Sequence, residues 1–233
     1  MIMKNLILLI ETATTACSVA LAEDGLIISK KELNERNIHA SHITLFIDEV
    51  MHLAGKTYTD LDAVAISQGP GSYTGLRIGV STAKGLCFAL DIPLLAVSTL
   101  QAMAVGVLKN ISIKDEQTLL CPMIDARRME VYTSLFDKNV VEIENTQAKI
   151  LDQTSFDTYL ENHTIVFFGD GAEKCKSLYG HRPNARFVDF ENSASYLSAL
   201  AEQKLKAGKI EDVAYFEPYY LKDFMPTKPN AAH

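Results

Sequence analysis

An apolar strand that runs through a glycine-rich turn straight into a helix restricts this chain to architectures that mix strands with helices. The strand is Ala63-Val64-Ala65-Ile66, the turn spans Gln68-Gly69-Pro70-Gly71-Ser72, and the helical pattern runs from Thr74 to Leu90. Such a strand–turn–helix unit is a building block of α/β folds. The turn has two readings. Its backbone N–H groups can face a phosphate at the helix N-terminus. Alternatively, its glycines let another backbone come close. Gly75, Gly79 and Ala83 fall at i, i+4 and i+8, with Gly85 nearby. Each interior glycine costs up to about 1 kcal/mol relative to alanine. A solvent-facing helix gains nothing from that, so the stripe is expected to pack against the protein's own sheet or another chain's helix.

The rest of the chain repeats the alternation. Strands are predicted at Leu6–Glu11, Cys17–Ala22 and Leu26–Leu33, with Asp24-Gly25 as a hairpin turn. A helix follows at 39–54, stopped by Gly55, then the strand 63–67, the helix 74–90, the strand 94–98 and a helix at 99–109. The charged Lys114-Asp115-Glu116 marks a boundary. Beyond it come strands at 119–124, 131–136 and 140–144, a short helix near 155–160, a strand at 164–168 and a helix from Ala172. A strand at 187–190 and a helix from Ser193 to Ala207, ended by Gly208, complete the pattern. Three strands followed by alternating helices and strands therefore occur twice, without a visible sequence repeat. This is the element order of the actin-like, sugar-kinase-like (ASKHA) superfamily, so the expected fold is α/β, a duplicated fold of two lobes, each a mixed sheet with flanking helices. The division is 1–110, 111–215 and a C-terminal segment 216–233, whose Pro226-Thr227-Lys228-Pro229-Asn230 reads as a loose tail.

With 233 residues, 48% of them apolar, the chain is long enough for two packed lobes. A formal charge of -7 argues against a protein that wraps nucleic acid by itself. The four cysteines are far apart with no C-x-x-C, which suits a reducing cytoplasm better than a disulfide framework. The run Leu6-Ile7-Leu8-Leu9-Ile10 is too short to span a membrane and is followed by Glu11, so it is read as a buried strand.

Four further segments could carry chemistry. Glu11, Thr12, Thr14 and Thr15 sit at the first strand-to-strand turn, where a carboxylate and hydroxyls could face ATP phosphates and magnesium; the plainer alternative is a threonine-rich hairpin. Glu11 stands where ATPases of this architecture carry Asp, and magnesium demands near-ideal octahedral geometry. Ile124-Asp125-Ala126-Arg127-Arg128 opens the second half with Ala126 and Arg127 where glycines would admit phosphate, or is a charged hairpin in which Asp125 pairs a nearby Arg. Gly169 and Gly171 close a strand-to-helix turn able to seat a ribose or adenine, as many α/β turns could. His39 and His42 lie one helical turn apart, but two histidines are not a metal site without a third ligand, and none is expected. Ser72 and Thr74 read as helix-capping hydroxyls rather than nucleophiles.

Four motifs occur in order along most of the chain: ETATTACSVAL from Glu11, QGPGSYTGLRIG from Gln68, IDARRMEVY from Ile124 and EPYYLK from Glu217. Together they resemble the TsaB (YeaZ) family, a subunit of the bacterial machinery that makes threonylcarbamoyl-adenosine at adenosine 37 of tRNA. The resemblance implies a duplicated actin-like fold with a reduced second lobe and a non-catalytic subunit that dimerises with a TsaD-like catalytic paralogue, joined by a TsaE-like ATPase, with tRNA engaged only indirectly; a helix surface built for a related partner leaves both a homodimer and a monomer open for the isolated chain. It places the partner interface on the first two helices, at His39, His42, Ile43, Phe46, Tyr73, Gly75, Leu76, Arg77, Gly79, Val80 and Ala83. The paralogue's H-x-x-x-H metal motif is absent, since His39 and His42 have the wrong spacing. Glu11, Thr12, Thr14, Thr15, Gly69, Gly71, Ser72, Asp125, Gly169 and Gly171 remain as a degenerate phosphate-loop set. No intrinsic cofactor is expected, and any ATP or ADP binding is weak and confined to the complex. The alternatives are an ASKHA-type ATPase or small-molecule kinase, and, less well supported, a glycoprotease-like peptidase.

Overall fold

The computed structural model describes residues 4–35, 38–113 and 115–222. The first half comprises β1 (Leu6–Glu11), β2 (Ala16–Glu23), β3 (Leu26–Asn34), α1 (His39–Leu53), β4 (Ala63–Gly69), α2 (Tyr73–Leu90), β5 (Leu94–Ser98) and α3 (Thr99–Asn110). The second comprises β6 (Thr118–Asp125), β7 (Glu130–Phe136), β8 (Glu142–Ile150), α4 (Asp157–Leu160), β9 (Thr164–Phe168), α5 (Ala172–Tyr179) and β10 (Ala185–Val188), followed by a 3-10 turn at Ala194–Leu197 and α6 (Ser198–Lys206). The first sheet is ordered β3-β2-β1-β4-β5. The second, read from its other edge, is β8-β7-β6-β9-β10, the same order. In each, the first strand pairs antiparallel with the second and parallel with the fourth. This is the duplicated two-lobe α/β fold expected from the element order. The second lobe is reduced: α4 has 4 residues and α5 has 8.

The central strands are apolar throughout because both of their faces are covered. Leu6, Leu8 and Ile10 of β1 pack under α1 and α2, while Ile7 and Leu9 point to the opposite face against Ala194, Leu197 and Ala201. In β6, Leu119, Cys121 and Met123 join α5, and Leu120 and Ile124 meet Leu100, Met103 and Val107 of α3. Helix α3 thus lies between the sheets and joins the two cores. At Asp24-Gly25 both residues have positive φ (51° and 78°), the conformation a two-residue hairpin demands. No helix among the described residues is long and apolar enough to cross a membrane.

The last helix departs from the sequence division at residue 215. The segment 192–206, placed in the second half by element order, packs on the first sheet: the Ala194 N–H donates to Ser18 Oγ at 2.9 Å, and Ser198 Oγ donates to the Gly25 carbonyl at 2.6 Å. The expected helix from Ser193 is split into the 3-10 turn and α6. β8 begins later than expected and continues to Ile150, because Val140 (φ 62°) belongs to a turn in which its N–H donates to the Asp137 carbonyl at 3.0 Å. β10 ends at Val188 rather than Phe190. Lys114 and the tail 226–230 lie outside the described residues.

Candidate functional site

Between the two sheets lies a cleft of about 880 Å³, walled by the β1–β2 turn, the start of α2, the β6–β7 hairpin and the C-terminal segment 219–222. Thr14, Thr15, Gly71, Ser72 and Asp125 all border it, so these parts of the sequence-predicted set are brought together. Glu11 and Thr12 are not among them. Both are fully buried below the turn. Glu11 Oε1 accepts the Ala13 N–H at 2.6 Å, and Oε2 lies beside Ser67 and Asn192 without a well-formed hydrogen bond to either. Burial pushes this carboxyl up to about 7, only partly offset by the Ala13 N–H.

The glycine-rich turn faces inward. The Ser72 N–H donates to the Ala13 carbonyl at 2.7 Å, and Ser72 Oγ caps α2 by accepting the Gly75 N–H at 3.3 Å. A side chain at Gly71 would overlap the Ala13 carbonyl oxygen, one at Gly75 the Thr12 carbonyl oxygen, and one at Gly79 the Thr12 hydroxyl. Gly69 has the Tyr219 carbonyl oxygen 2.6 Å from where its Cβ would stand. Across the cleft, Gly169 and Gly171 press on the backbone of Met123 and Ile124. These glycines admit the protein's own backbone rather than a phosphate.

The second hairpin is the charged structural turn that the sequence offered as its alternative. Asp125 accepts the Arg127 N–H at 2.6 Å and pairs with Lys174 at 2.7 Å, so its ionic partner is a lysine of α5 rather than an arginine. Arg127 and Arg128 both have positive φ (69° and 49°). Thr15 donates to Asn34 at 2.6 Å. Glu11 is buried below the cleft, and of the carboxylates that line it Asp125 is held by Lys174, Glu130 by Lys222, and Asp170 accepts the Asp125 N–H at 3.0 Å, so the donor set does not fit a catalytic magnesium–nucleotide site.

The expected docking surface needs the larger correction. His39, Ile43, Phe46, Gly75, Leu76, Gly79, Val80 and Ala83 are all buried within the chain. His39 places Nε2 3.2 Å from the Ala16 carbonyl, and burial lowers its pKa. The small-residue stripe therefore seats α2 on the turn after β1 and is not available to another helix. His42 and Tyr73 are half-buried, with the His42 ring against Phe46; of the expected set only Arg77 is exposed. The outward face of these helices carries other residues: Leu45 (54% exposed) and Leu53 (67%) on α1, and Phe88 (84%) on α2. Gly85 is also exposed, and nothing lies within 4 Å of where its Cβ would stand. The available signal was phase for Leu45, Gly85 and Phe88, which lie off the buried stripes of their helices; Leu53 is in phase with buried Val50 and Phe46 and is exposed as the last residue of α1.

The family model described as "TsaD: tRNA N6-adenosine threonylcarbamoyltransferase" matches residues 31–223. The tRNA threonylcarbamoyladenosine biosynthesis protein TsaB of Escherichia coli (strain K12) is 33% identical over 224 residues, covering 93% of this chain and 94% of that protein. The chain belongs to the TsaB (YeaZ) family. YeaZ from Pseudomonas aeruginosa shares the fold, with a TM-score of 0.75 at 24% identity over 93% of this chain and 100% of that one. The tRNA N6-adenosine threonylcarbamoyltransferase of Bacillus subtilis (strain 168) is 51% identical over 59 residues, only 25% of this chain and 17% of that protein. The alignment with that transferase is thus locally strong and short, although the transferase family model spans residues 31–223, whereas likeness to E. coli TsaB extends over 93% of the chain.

Proposed function

We propose that this chain is a non-catalytic subunit in the synthesis of threonylcarbamoyladenosine in tRNA, and that it docks a TsaD-like catalytic paralogue through the outward faces of α1 and α2. The observation that carries the reading is Gly85 with its neighbour Phe88. An exposed glycine inside an 18-residue helix, with open space at its Cβ position, sacrifices up to about 1 kcal/mol of helix stability for no contact within the chain. A partner backbone approaching at Gly85 accounts for that, with Phe88 on the same helix and Leu45 and Leu53 on α1 as exposed apolar anchors. The same face pairs two copies of this chain when the paralogue is missing, and a TsaE-like ATPase joins the heterodimer. The net charge of -7 leaves tRNA to the partner. The buried Glu11 and the inward-facing glycines favour this scaffold role over the ATPase and kinase alternatives.

The test is reconstitution of TsaD-like partner, TsaE-like ATPase, tRNA and threonylcarbamoyl-adenylate, with and without this chain. Transfer to tRNA that depends on the chain, while the chain alone transfers nothing, is the expected result. Equal transfer in its absence would overturn the reading.

A further inference from the structure

The segment that follows α6 does not leave the body of the protein. It is attached to the first lobe at successive points. The Glu211 N–H donates to the Leu94 carbonyl at 2.9 Å, and Val213 and Phe216 pack against the core beneath α1 and α2. Lys84 Nζ, on α2, donates to the carbonyls of Ala214 at 3.2 Å and Phe216 at 2.9 Å. The Tyr219 N–H then donates to the Gln68 carbonyl at 2.7 Å, with the Tyr219 carbonyl lying over Gly69, where only glycine leaves it room. Tyr220 places its ring against Tyr73 at the first turn of α2, centroids 4.8 Å apart, and Arg77 lies 5.6 Å from the Tyr73 ring on the same helix. Only after this does the chain reach the second lobe, where Lys222 pairs with Glu130 at the start of β7.

The two ends of the strap differ in kind. On the first lobe it is held by backbone hydrogen bonds, a chelating lysine and apolar packing. On the second lobe, among the described residues, its ionic contact is one pair, Lys222–Glu130, whose lysine side chain is 41% exposed and whose glutamate is 18% exposed. Glu130 also belongs to the strand whose backbone carbonyl accepts Lys174, so the catch is seated on a well-fixed strand. Along its path the strap borders the cleft with Tyr219, Tyr220, Leu221 and Lys222, facing the Arg127–Arg128 hairpin and Thr14.

We propose that residues 217–222 are a latch over the interlobe cleft, permanently hinged on the first lobe and releasably caught on the second by Lys222–Glu130. Closed, the latch seats Tyr220 on Tyr73 and ties the lobes together across the cleft mouth. Released, it swings from its Gln68 hinge, unstacks Tyr220 from Tyr73 and opens the cleft mouth beside the 125–128 hairpin. The latch goes beyond the docking reading, because it lies at the cleft and not on the outward faces of α1 and α2.

The chain contains no tryptophan, so Tyr220→Trp supplies a single emitter at the latch. In the full chain, that tryptophan is expected to emit to the blue of free indole and to resist acrylamide. Adding Lys222→Glu is expected to shift the open-to-closed ratio by up to about fivefold, the scale of a partly exposed ion pair, with a red-shifted and more quenchable emission. The charge swap Lys222→Glu with Glu130→Lys is expected to restore the closed signal. Tyr219→Pro, which removes the N–H that the Gln68 carbonyl accepts, is expected to expose the tryptophan whatever the charges. Three results would each overturn the proposal: quenching of the parent reporter at the level of free indole, no change on Lys222→Glu, or a charge swap that fails to restore protection.

Discussion

Two alanine substitutions on one helix, Gly75→Ala and Gly85→Ala, are expected to move stability in opposite directions. At Gly85 the new methyl meets nothing within 4 Å, so only helix propensity acts, a gain of up to about 1 kcal/mol. At Gly75 the methyl would stand far inside 3.0 Å of the Thr12 carbonyl oxygen, a backbone atom that cannot rotate away. The Ser72 N–H bond to Ala13 pins that same turn, so relief requires α2 to lift from β1. Overpacking of this kind costs about 1–3 kcal/mol, occasionally more, and outweighs the propensity gain. The propensity gain is common to both, so the two variants should differ by the overpacking cost, roughly 1–3 kcal/mol, which for a chain of this size is a separation of roughly 2–12 °C in Tm. Urea unfolding followed by far-UV circular dichroism, with m unchanged, reads the difference as a shift in midpoint. Shifts of the same sign in both variants would refute the inward seating of the stripe.

Glu11→Gln isolates the buried carboxyl. Its folded pKa, about 7, lies above the unfolded value of 4.5, so between those pH values the folded state binds more protons and the group's contribution to stability falls as pH rises. The variant should match the parent near pH 4 and exceed it by about 3 kcal/mol at pH 8; denaturation midpoints that stay parallel across that range would contradict the buried, proton-bearing reading. All four cysteines are buried and free, and burial raises the Cys17 and Cys87 thiols to about 11 and Cys175 to about 12, with Cys121 also raised. No thiol should react rapidly with a disulfide reagent at pH 8 in the folded chain, and all four should react after denaturation; fast labelling of the native protein would place a cysteine at the surface. Gly106→Leu should lower stability by about 1–3 kcal/mol or more, read as a fall in urea midpoint, because even a Cβ there would stand 2.5 Å from the Tyr196 ring between α3 and the 194–197 turn.

Legibility in the sequence followed burial. β5 and β9 coincide with their predicted bounds because strands covered on both faces are short, continuous apolar runs bounded by polar residues. β8 was mostly missed because it is an edge strand whose Glu142, Glu144, Asn145, Thr146 and Gln147 carry no apolar pattern. The place of α6 was hidden for another reason: element order says which sheet a helix follows, and only packing says which sheet it covers. At the site, the sequence located the cleft-lining turns but not the direction their residues face. Gly75, Gly79 and Ala83 make the same small stripe whether they admit a neighbouring chain or the Thr12 backbone, and spacing alone cannot separate the two. Gly85, Phe88 and Leu45 were legible only as apolar or small residues out of phase with the buried faces, and Leu53, in phase with Val50, gave no such signal. The carboxylate at Glu11 was readable as an unusual residue for a phosphate site; that it is wholly buried depends on Ser67 and Asn192, which lie far from it in sequence.

The central claim is that α1 and α2 present a docking face, and the most direct measurement is the affinity of a TsaD-like partner for Phe88→Glu, by isothermal titration calorimetry. Phe88 is 84% exposed in the isolated chain, so the substitution should leave Tm within about 2 °C of the parent. Burying an unpaired carboxylate where an aromatic anchor sat should weaken docking by about 2 kcal/mol or more, at least about thirtyfold in Kd. A folded Phe88→Glu chain that binds the partner with the parent's affinity would contradict the account.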